Sequence, residues 1–82
     1  MIAVLFFGRM ADLAGHRRQD IAPAPGGDSL FALRERMLGG AIAEGRARTG
    51  DIRMSVNRVV QAADGPVADG DEVAFFSVFS GG

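Results

Sequence analysis

The sequence predicts an α+β fold in which one main helix packs on one face of a mixed sheet. An apolar run opens the chain, a second apolar run lies near its end, and amphipathic helical spacing lies between them. Strands at both ends of a chain that also carries a helix are typical of a sheet with its helix layer on one face. A chain of 82 residues has room for one hydrophobic core.

The first part of the chain predicts two strands and a short helix. Residues 1–7 form an apolar, β-branched and aromatic run that is typical of a buried strand. Residues 9–14 are good helix formers, and Gly15 stands where a left-handed residue would end the helix. Residues 17–22 predict an edge strand, closed by a turn that is rich in proline and glycine.

The main helix is predicted to begin at Asp28 or Ser29, since either side chain can cap a helix N-terminus. The apolar residues that share one face of this helix are Leu30, Leu33 and Met37. We expect the glycine pair at 39–40 to end the helix and residues 41–47 to form a second helical turn.

The last part of the chain predicts short strands joined by turns. Residues 54–57 and 58–61 have a period of two and predict two short strands, joined by a bend at 57–58 whose turn signal is weak. Clusters of aspartate and glycine predict turns at 64–66 and 69–72. Residues 73–78 form an apolar run that predicts the closing strand.

The two terminal strands are apolar on both faces, which a single helix layer does not explain. Because strand side chains alternate, Phe7 faces away from the helix when Phe6 faces it, and Phe76 does so when Phe75 faces it. We therefore predict an exposed apolar patch of Phe7, Val60 and Phe76, and such patches usually mark protein–protein contacts. The alternative is that residues 41–47 cover this face.

Composition excludes several classes of function. A net charge of −1 without a basic cluster lacks the electrostatic footprint of a nucleic-acid binder. No apolar stretch approaches the roughly 20 residues of a spanning helix, and no positively charged leader is present, so we expect a cytoplasmic protein. The chain has no cysteine, and all nine basic residues are arginine. Thiolate, Schiff-base and phosphate-loop lysine chemistry are therefore excluded for this chain.

Gly81 and Gly82 end the sequence directly after a strand-like run. A glycine pair has no side chains and can thread a channel that any Cβ would block. One interpretation is that the carboxylate of Gly82 is the working atom, delivered into another protein's active site. The other is a frayed terminus, since final residues are often small and poorly ordered.

Three segments together carry a family resemblance. The run at 1–8 with Gly15, the run at 69–76 and the Ser80-Gly81-Gly82 end resemble the small subunit of molybdopterin synthase, a ubiquitin-like sulfur carrier. The resemblance spans both ends of the chain, and the chain length fits the family. Residues 39–53 match no segment of the family. One departure concerns the two prolines that the family commonly has before its diglycine, because Ser-Val-Phe stands at 77–79 here.

The resemblance implies a ubiquitin-like β-grasp: a mixed sheet of four to five strands, one main helix on one face, and a flexible tail at 79–82. Residues 1–82 then form a single domain. It also implies a reaction cycle in which an activating enzyme uses ATP to adenylate the Gly82 carboxylate. A sulfurtransferase then supplies sulfur for a thiocarboxylate, which the large synthase subunit uses to sulfurate cyclic pyranopterin monophosphate.

The expected site residues follow from the predicted apolar patch and from the family resemblance. Gly82 carries the acyl adenylate and then the thiocarboxylate, and Gly81 lets the tail thread the partner. The expected partner contacts are Phe7, Val60, Phe76, Phe79 and Ser80. We expect no metal ion and no cofactor on this chain, because ATP is used by the activating partner. The chain alone is then a co-substrate and not a catalyst.

Three alternatives stay open. The chain could be a ubiquitin-like modifier joined to a target lysine through Gly82, although without lysine it cannot form side-chain-linked polymers of itself. It could carry sulfur for thiazole or another metabolite. It could also be a plain interaction domain whose tail has no role. Deleting Gly81 and Gly82 separates the last alternative from the others.

Overall fold

A computed structural model describes residues 1–77, and residues 78–82 lie outside the described part. The elements in chain order are β1 (Ile2–Phe6), α1 (Arg9–Ala14), β2 (Arg18–Ile21), β3 (Asp28–Ser29), α2 (Leu30–Ala43), a 3-10 turn (Thr49–Asp51), β4 (Ile52–Val56), β5 (Val59–Val60), β6 (Pro66–Val67) and β7 (Glu72–Ser77).

The main sheet has five strands in the order β2-β1-β7-β4-β5, and β3 pairs with β6 in a small second sheet. The first and last strands lie side by side at the centre of the main sheet. They run parallel, with Val4 opposite Val73 and Phe6 opposite Phe75, whereas the other pairs are antiparallel. This arrangement confirms the predicted mixed sheet with one main helix.

The hydrophobic core lies between one face of the main sheet and the helices. The inward residues of the main sheet, all buried, are Ile2, Val4, Phe6, Ile21, Ile52, Met54, Val56, Val73 and Phe75. Met10 of α1, Leu30, Leu33 and Leu38 of α2, Ala47 and Val67 belong to the same cluster. The sequence predicted Met37 as the core residue of this turn, but Met37 is only partly buried and Leu38 is fully buried. Both helices therefore cover the same face of the sheet.

The caps of α2 explain where the helix begins and ends. The hydroxyl of Ser29 accepts a hydrogen bond from the backbone N–H of Ala32 at 3.1 Å, so Ser29 is the N-cap. At the other end Gly45 has φ 76°, and the N–H of Arg46 donates to the carbonyl of Ala41 at 2.8 Å. This 6→1 bond across a left-handed glycine is a Schellman motif.

The prediction that the glycine pair at 39–40 ends the main helix is wrong. The helix continues to Ala43. Glycine in a helix interior costs about 1 kcal/mol relative to alanine, but Leu38, Gly39 and Ala41 are buried at this point of the helix. Tertiary packing thus stabilises a helical segment that local propensity disfavours.

The prediction of a separate helical turn at 41–47 is also wrong. The first three residues of this range belong to α2, and Ala47 is buried in the same core cluster as Leu33. The segment therefore packs on the helix side of the sheet and does not cover the opposite face.

The bend between β4 and β5 is confirmed, with modified strand limits. Asn57 and Arg58 have φ values of 49° and 69°, which identifies a two-residue turn with both central residues left-handed. β4 begins two residues before the predicted limit, and β5 has only two residues. The small sheet of β3 and β6 was not predicted, since strands of two residues show no periodicity.

Candidate functional site

The face of the main sheet that turns away from the helices is here named the outer face. Cross-strand partners share a face, and Leu5, Ala74, Ser55 and Val60 form one continuous row across β1, β7, β4 and β5. Leu5 is partly buried and Val60 is 59% exposed. The predicted alternation of β1, with Phe6 inward and its neighbour outward, is confirmed by the burial pattern.

A second row of the outer face lies at the end of β7. The backbone N–H of Phe7 donates to the carbonyl of Phe75 at 3.0 Å, which continues the parallel pairing one residue beyond β1 and brings Phe7 beside Phe76. Phe76 in turn lies opposite Arg53 of β4. Phe7 is 52% exposed and Phe76 is partly buried.

The structure brings two of the predicted contact residues together and leaves the third nearby. Phe7 and Phe76 are neighbours, whereas Val60 lies in the adjacent row on the far side of β4. The other predicted site residues, Phe79, Ser80, Gly81 and Gly82, lie outside the described residues. In the sequence they follow Ser77, which ends β7 opposite Ile52.

Charged side chains surround the apolar rows. Arg18 and Asp20 form an ion pair at 3.0 Å on β2, and Arg58 lies 3.8 Å from the carboxylate of Glu72. Within residues 1–77, Arg53 forms neither an ion pair nor a side-chain hydrogen bond. Exposed pairs of this kind contribute little to stability.

A hydrogen-bond network holds the start of β7. Asp71 accepts from the backbone N–H of Ala68 at 2.8 Å and from the amide of Asn57 at 3.0 Å, while Asn57 accepts from the backbone N–H of Glu72 at 2.9 Å. These bonds, first that of Ala68 and then that of Asn57, hold the pKa of Asp71 below its usual value.

The other acidic side chains of this region also stabilise turns. Asp69 contacts the Met1 ammonium, and this contact holds the pKa of Asp69 below its usual value. In the part of the chain that the structure describes, no cluster of three His, Cys, Asp or Glu side chains could hold a metal ion. The acidic run at 69–72 is therefore explained by the turn and strand start that it forms.

A groove at the edge of the sheet was missed by sequence reasoning. It has a volume of about 320 Å³, and its lining includes Arg34 of α2, Arg53 of β4, and Gln61 after β5. The two arginines are 19 positions apart in the sequence and belong to different elements. No spacing or motif in the sequence indicated that both line one groove.

Comparison with known proteins identifies the family. The ThiS family profile matches residues 4–82. The chain belongs to the ThiS family. It is also 35% identical over 83 aligned positions to the molybdopterin synthase sulfur carrier subunit of Escherichia coli (strain K12), and the alignment covers all of both chains. The resemblance found in the sequence is thus confirmed.

Among solved structures, this ThiS-family chain is similar to SAMP1 from Haloferax volcanii. The TM-score is 0.72 at 22% sequence identity, over 99% of this chain and 98% of that one. The likeness shows a shared ubiquitin-like β-grasp fold. Neither helix of residues 1–77 is long and apolar enough to cross a membrane.

Proposed function

We propose that this chain is the sulfur carrier subunit of a molybdopterin synthase. The observation that carries the proposal is the 35% identity to the Escherichia coli carrier subunit, which extends over the full length of both chains. Membership of the ThiS family over residues 4–82 supports it. Fold alone would not suffice, because one fold hosts many functions.

In the proposed cycle Gly82 supplies the reacting atoms. An oxygen of its carboxylate attacks the α-phosphorus of ATP on an adenylating enzyme, which releases pyrophosphate and leaves an acyl adenylate. A persulfide sulfur from a sulfurtransferase then displaces AMP, and reductive cleavage of the S–S bond by a thiol leaves the thiocarboxylate. Finally the thiocarboxylate sulfur is transferred to cyclic pyranopterin monophosphate in the large subunit, and water restores the carboxylate.

Gly81 and Gly82 suit this role because they have no side chains. A channel wide enough for a backbone alone can admit them, and φ is unrestricted at both positions. Ordering each tail residue costs about 1–2 kcal/mol of backbone entropy, so docking energy must come from elsewhere on the protein.

The outer face is the proposed source of that docking energy. Phe7 and Val60 are 52% and 59% exposed, and Phe76 lies beside Phe7. Burial of apolar surface contributes about 25 cal/mol per Å², so a contact of several hundred Å² would offset the ordering of the tail. We propose that the large subunit and the adenylating enzyme both use this face, with Phe79 and Ser80 continuing the contact.

A protein modifier joined to target lysines through Gly82 is the second candidate. The β-grasp fold shared with SAMP1 is compatible with either function. Both candidates use an activated Gly82, so they differ in the acceptor: sulfur in one case and a lysine amine in the other. The absence of lysine from this chain excludes polymers linked through its own side chains and leaves single-site tagging open.

The test is intact mass spectrometry of the purified chain, before and after incubation with ATP, the adenylating enzyme and a sulfur donor. We expect a mass increase equal to the exchange of one oxygen for sulfur, and we expect none in a variant that lacks Gly82. A terminus that stays unmodified contradicts the carrier proposal. A covalent adduct with other proteins supports the modifier instead.

A further inference from the structure

One end of the outer face carries carboxylates. Glu72 of β7 and Asp20 of β2 are both cross-strand partners of Ala3, which lies two residues before Leu5 on β1. Strand residues two apart share a face, so both carboxylates lie on the outer face, at the end where β7 begins. The arginines that they contact, at 3.8 and 3.0 Å respectively, form exposed pairs that contribute little to stability. A contact across an interface can replace pairs of this kind at little cost.

The opposite end of the outer face carries an arginine. Arg53 of β4 lies opposite Phe76 and is exposed. Across residues 1–77 it has no acidic partner within ion-pair distance. Between the two ends lie Leu5 and Ala74, which are apolar. Along the strands, the outer face is therefore acidic, then apolar, then basic.

Side-chain size changes along the same direction. On β1 the outer face has the small residue Ala3 at the acidic end and the large residue Phe7, 52% exposed, at the basic end. A second copy that is turned by 180° about an axis across the strands places Phe7 of one copy over Ala3 of the other. The same turn brings Arg53 within one strand spacing, about 4.8 Å, of the position over Glu72, and an arginine side chain spans that spacing. The face is thus complementary to itself in shape and in charge.

We propose that the outer face of the free chain binds a second copy of the chain in a dimer with twofold symmetry. In such an interface both copies use the same surface, so the contact between Arg53 of one protomer and Glu72 of its partner occurs twice. The apolar middle of the face, which includes Leu5 and Ala74, packs against itself across the axis. The inference goes beyond the proposed function, because it concerns the chain before it meets the large subunit.

A second copy is the occupant that the charges favour. A partner surface with charges of one sign would match only one end of the face, whereas a second copy matches both ends. The chain has a net charge of −1, so two copies repel each other only weakly.

The size of the face indicates a weak dimer. Five strands at about 4.8 Å spacing, with about five residues each at about 3.3 Å, cover about 400 Å² per copy. Two copies then bury about 800–1,000 Å² together, which is in the range of transient contacts. We therefore expect a dissociation constant of about 10–100 µM. A partner that binds the same face more tightly displaces the second copy.

The test is sedimentation equilibrium of the full chain at low salt, from about 10 µM to about 1 mM. We expect a monomer–dimer equilibrium, and Arg53→Glu and Glu72→Arg should each weaken it at least about tenfold, because each places like charges together at two contacts. The double variant exchanges the signs at both contacts and keeps the net charge of the wild type, so it should dimerise within about threefold of wild type. Arg48→Glu is the matched control, because Arg48 is exposed and follows Ala47 of the helix side, and it should stay within about twofold.

The outcomes separate a specific dimer from its absence. A wild-type chain that stays monomeric up to about 1 mM overturns the proposal. An unchanged dimer in Arg53→Glu, or an equal loss in Arg48→Glu, also overturns it, and so does a folded double variant that stays monomeric. Circular dichroism checks the fold, and Arg53 is exposed, so its variant tests the contact even if Glu72→Arg does not fold. None of these results depends on modification of Gly82, so failure of the dimer and failure of the proposed function are distinguished.

Discussion

Arg58 holds a backbone conformation that residues with a Cβ rarely adopt. Its φ is 69°, and it follows Asn57, whose φ is 49°. Two-residue hairpins of this type prefer Asn-Gly, because the second position has no steric penalty when it is glycine. The exposed contact of Arg58 with Glu72, at 3.8 Å, compensates little.

We therefore expect Arg58→Gly to raise the free energy of unfolding by about 1 kcal/mol. Urea unfolding at neutral pH measures the change. The matched control is Arg48→Gly, because Arg48 is also exposed but has an ordinary φ of −108°. Glycine there should lower stability, and a gain of the same size at both positions would contradict the turn explanation.

Asp71 connects a turn to the start of the central strand β7. Its carboxylate accepts hydrogen bonds from Ala68 and Asn57, and its pKa is lowered as a result. The folded protein thus binds this proton less readily than the unfolded chain, whose carboxyl pKa is about 3.9. The stabilisation is fully present above that value and is lost as the pH falls through the lower folded pKa.

We expect the free energy of unfolding to be lower at about pH 3 than at about pH 5. In Asp71→Asn this difference between the two pH values should be smaller. Urea unfolding at several pH values is the measurement. Asp12→Asn removes an exposed carboxylate that makes none of these hydrogen bonds and should retain the wild-type difference. If Asp71→Asn retains it too, the network does not produce the pH dependence.

At the scale of elements, α2 contains a glycine pair that its packing tolerates. Gly40 is exposed, and an added Cβ there meets nothing within 4 Å. Gly45, five residues later, has φ 76° and ends the helix. Substitution of glycine by alanine should therefore change the free energy of unfolding in opposite directions at Gly40 and Gly45.

Gly40→Ala is expected to raise the free energy of unfolding by about 0.5–1 kcal/mol, because alanine loses less backbone entropy in a helix. Gly45→Ala is the control and should lower it by about 1 kcal/mol, since alanine is strained at positive φ. Thermal unfolding of both variants measures these changes in stability. Stabilisation by both would show that the end of α2 is not constrained as described.

For the whole molecule, the two faces of the sheet have different roles. The helix face holds the core, and the outer face presents Phe7, Phe76 and Val60 near the strand from which the tail continues. In the proposed function the partner contacts lie on the sheet and the reacting group lies at Gly82, so binding and chemistry use different parts of the chain. Because the core lies on the other face, we expect the fold to stay intact when residues of the outer face are changed.

We expect Phe76→Asp to weaken binding to the large subunit and to the adenylating enzyme at least about tenfold, because a charge would be buried in an apolar contact. Calorimetry with each partner measures this, and circular dichroism checks the fold. Val59→Asp is the matched control, since Val59 is 62% exposed but pairs with Val56 of the core face. Unchanged affinity of Phe76→Asp for both partners would show that the outer face is not the contact.

The sequence by itself determined the strands at both ends, the short helix before Gly15, the hairpin bend and the two-sided apolar pattern of β1 and β7. These features depend on neighbours along the chain, so local spacing encodes them. The diglycine end and the runs near both termini also sufficed for the family. The roles of Phe79, Ser80, Gly81 and Gly82 remain predictions from sequence.

Only the tertiary structure decided that α2 continues through its glycine pair, that β1 and β7 pair in parallel, and that residues of α2 and β4 line one groove. Each of these depends on contacts between residues far apart in the chain. A buried helix face outweighs a local propensity of about 1 kcal/mol. The groove at the sheet edge likewise exists only because α2 and β4, which are far apart in the chain, both line it.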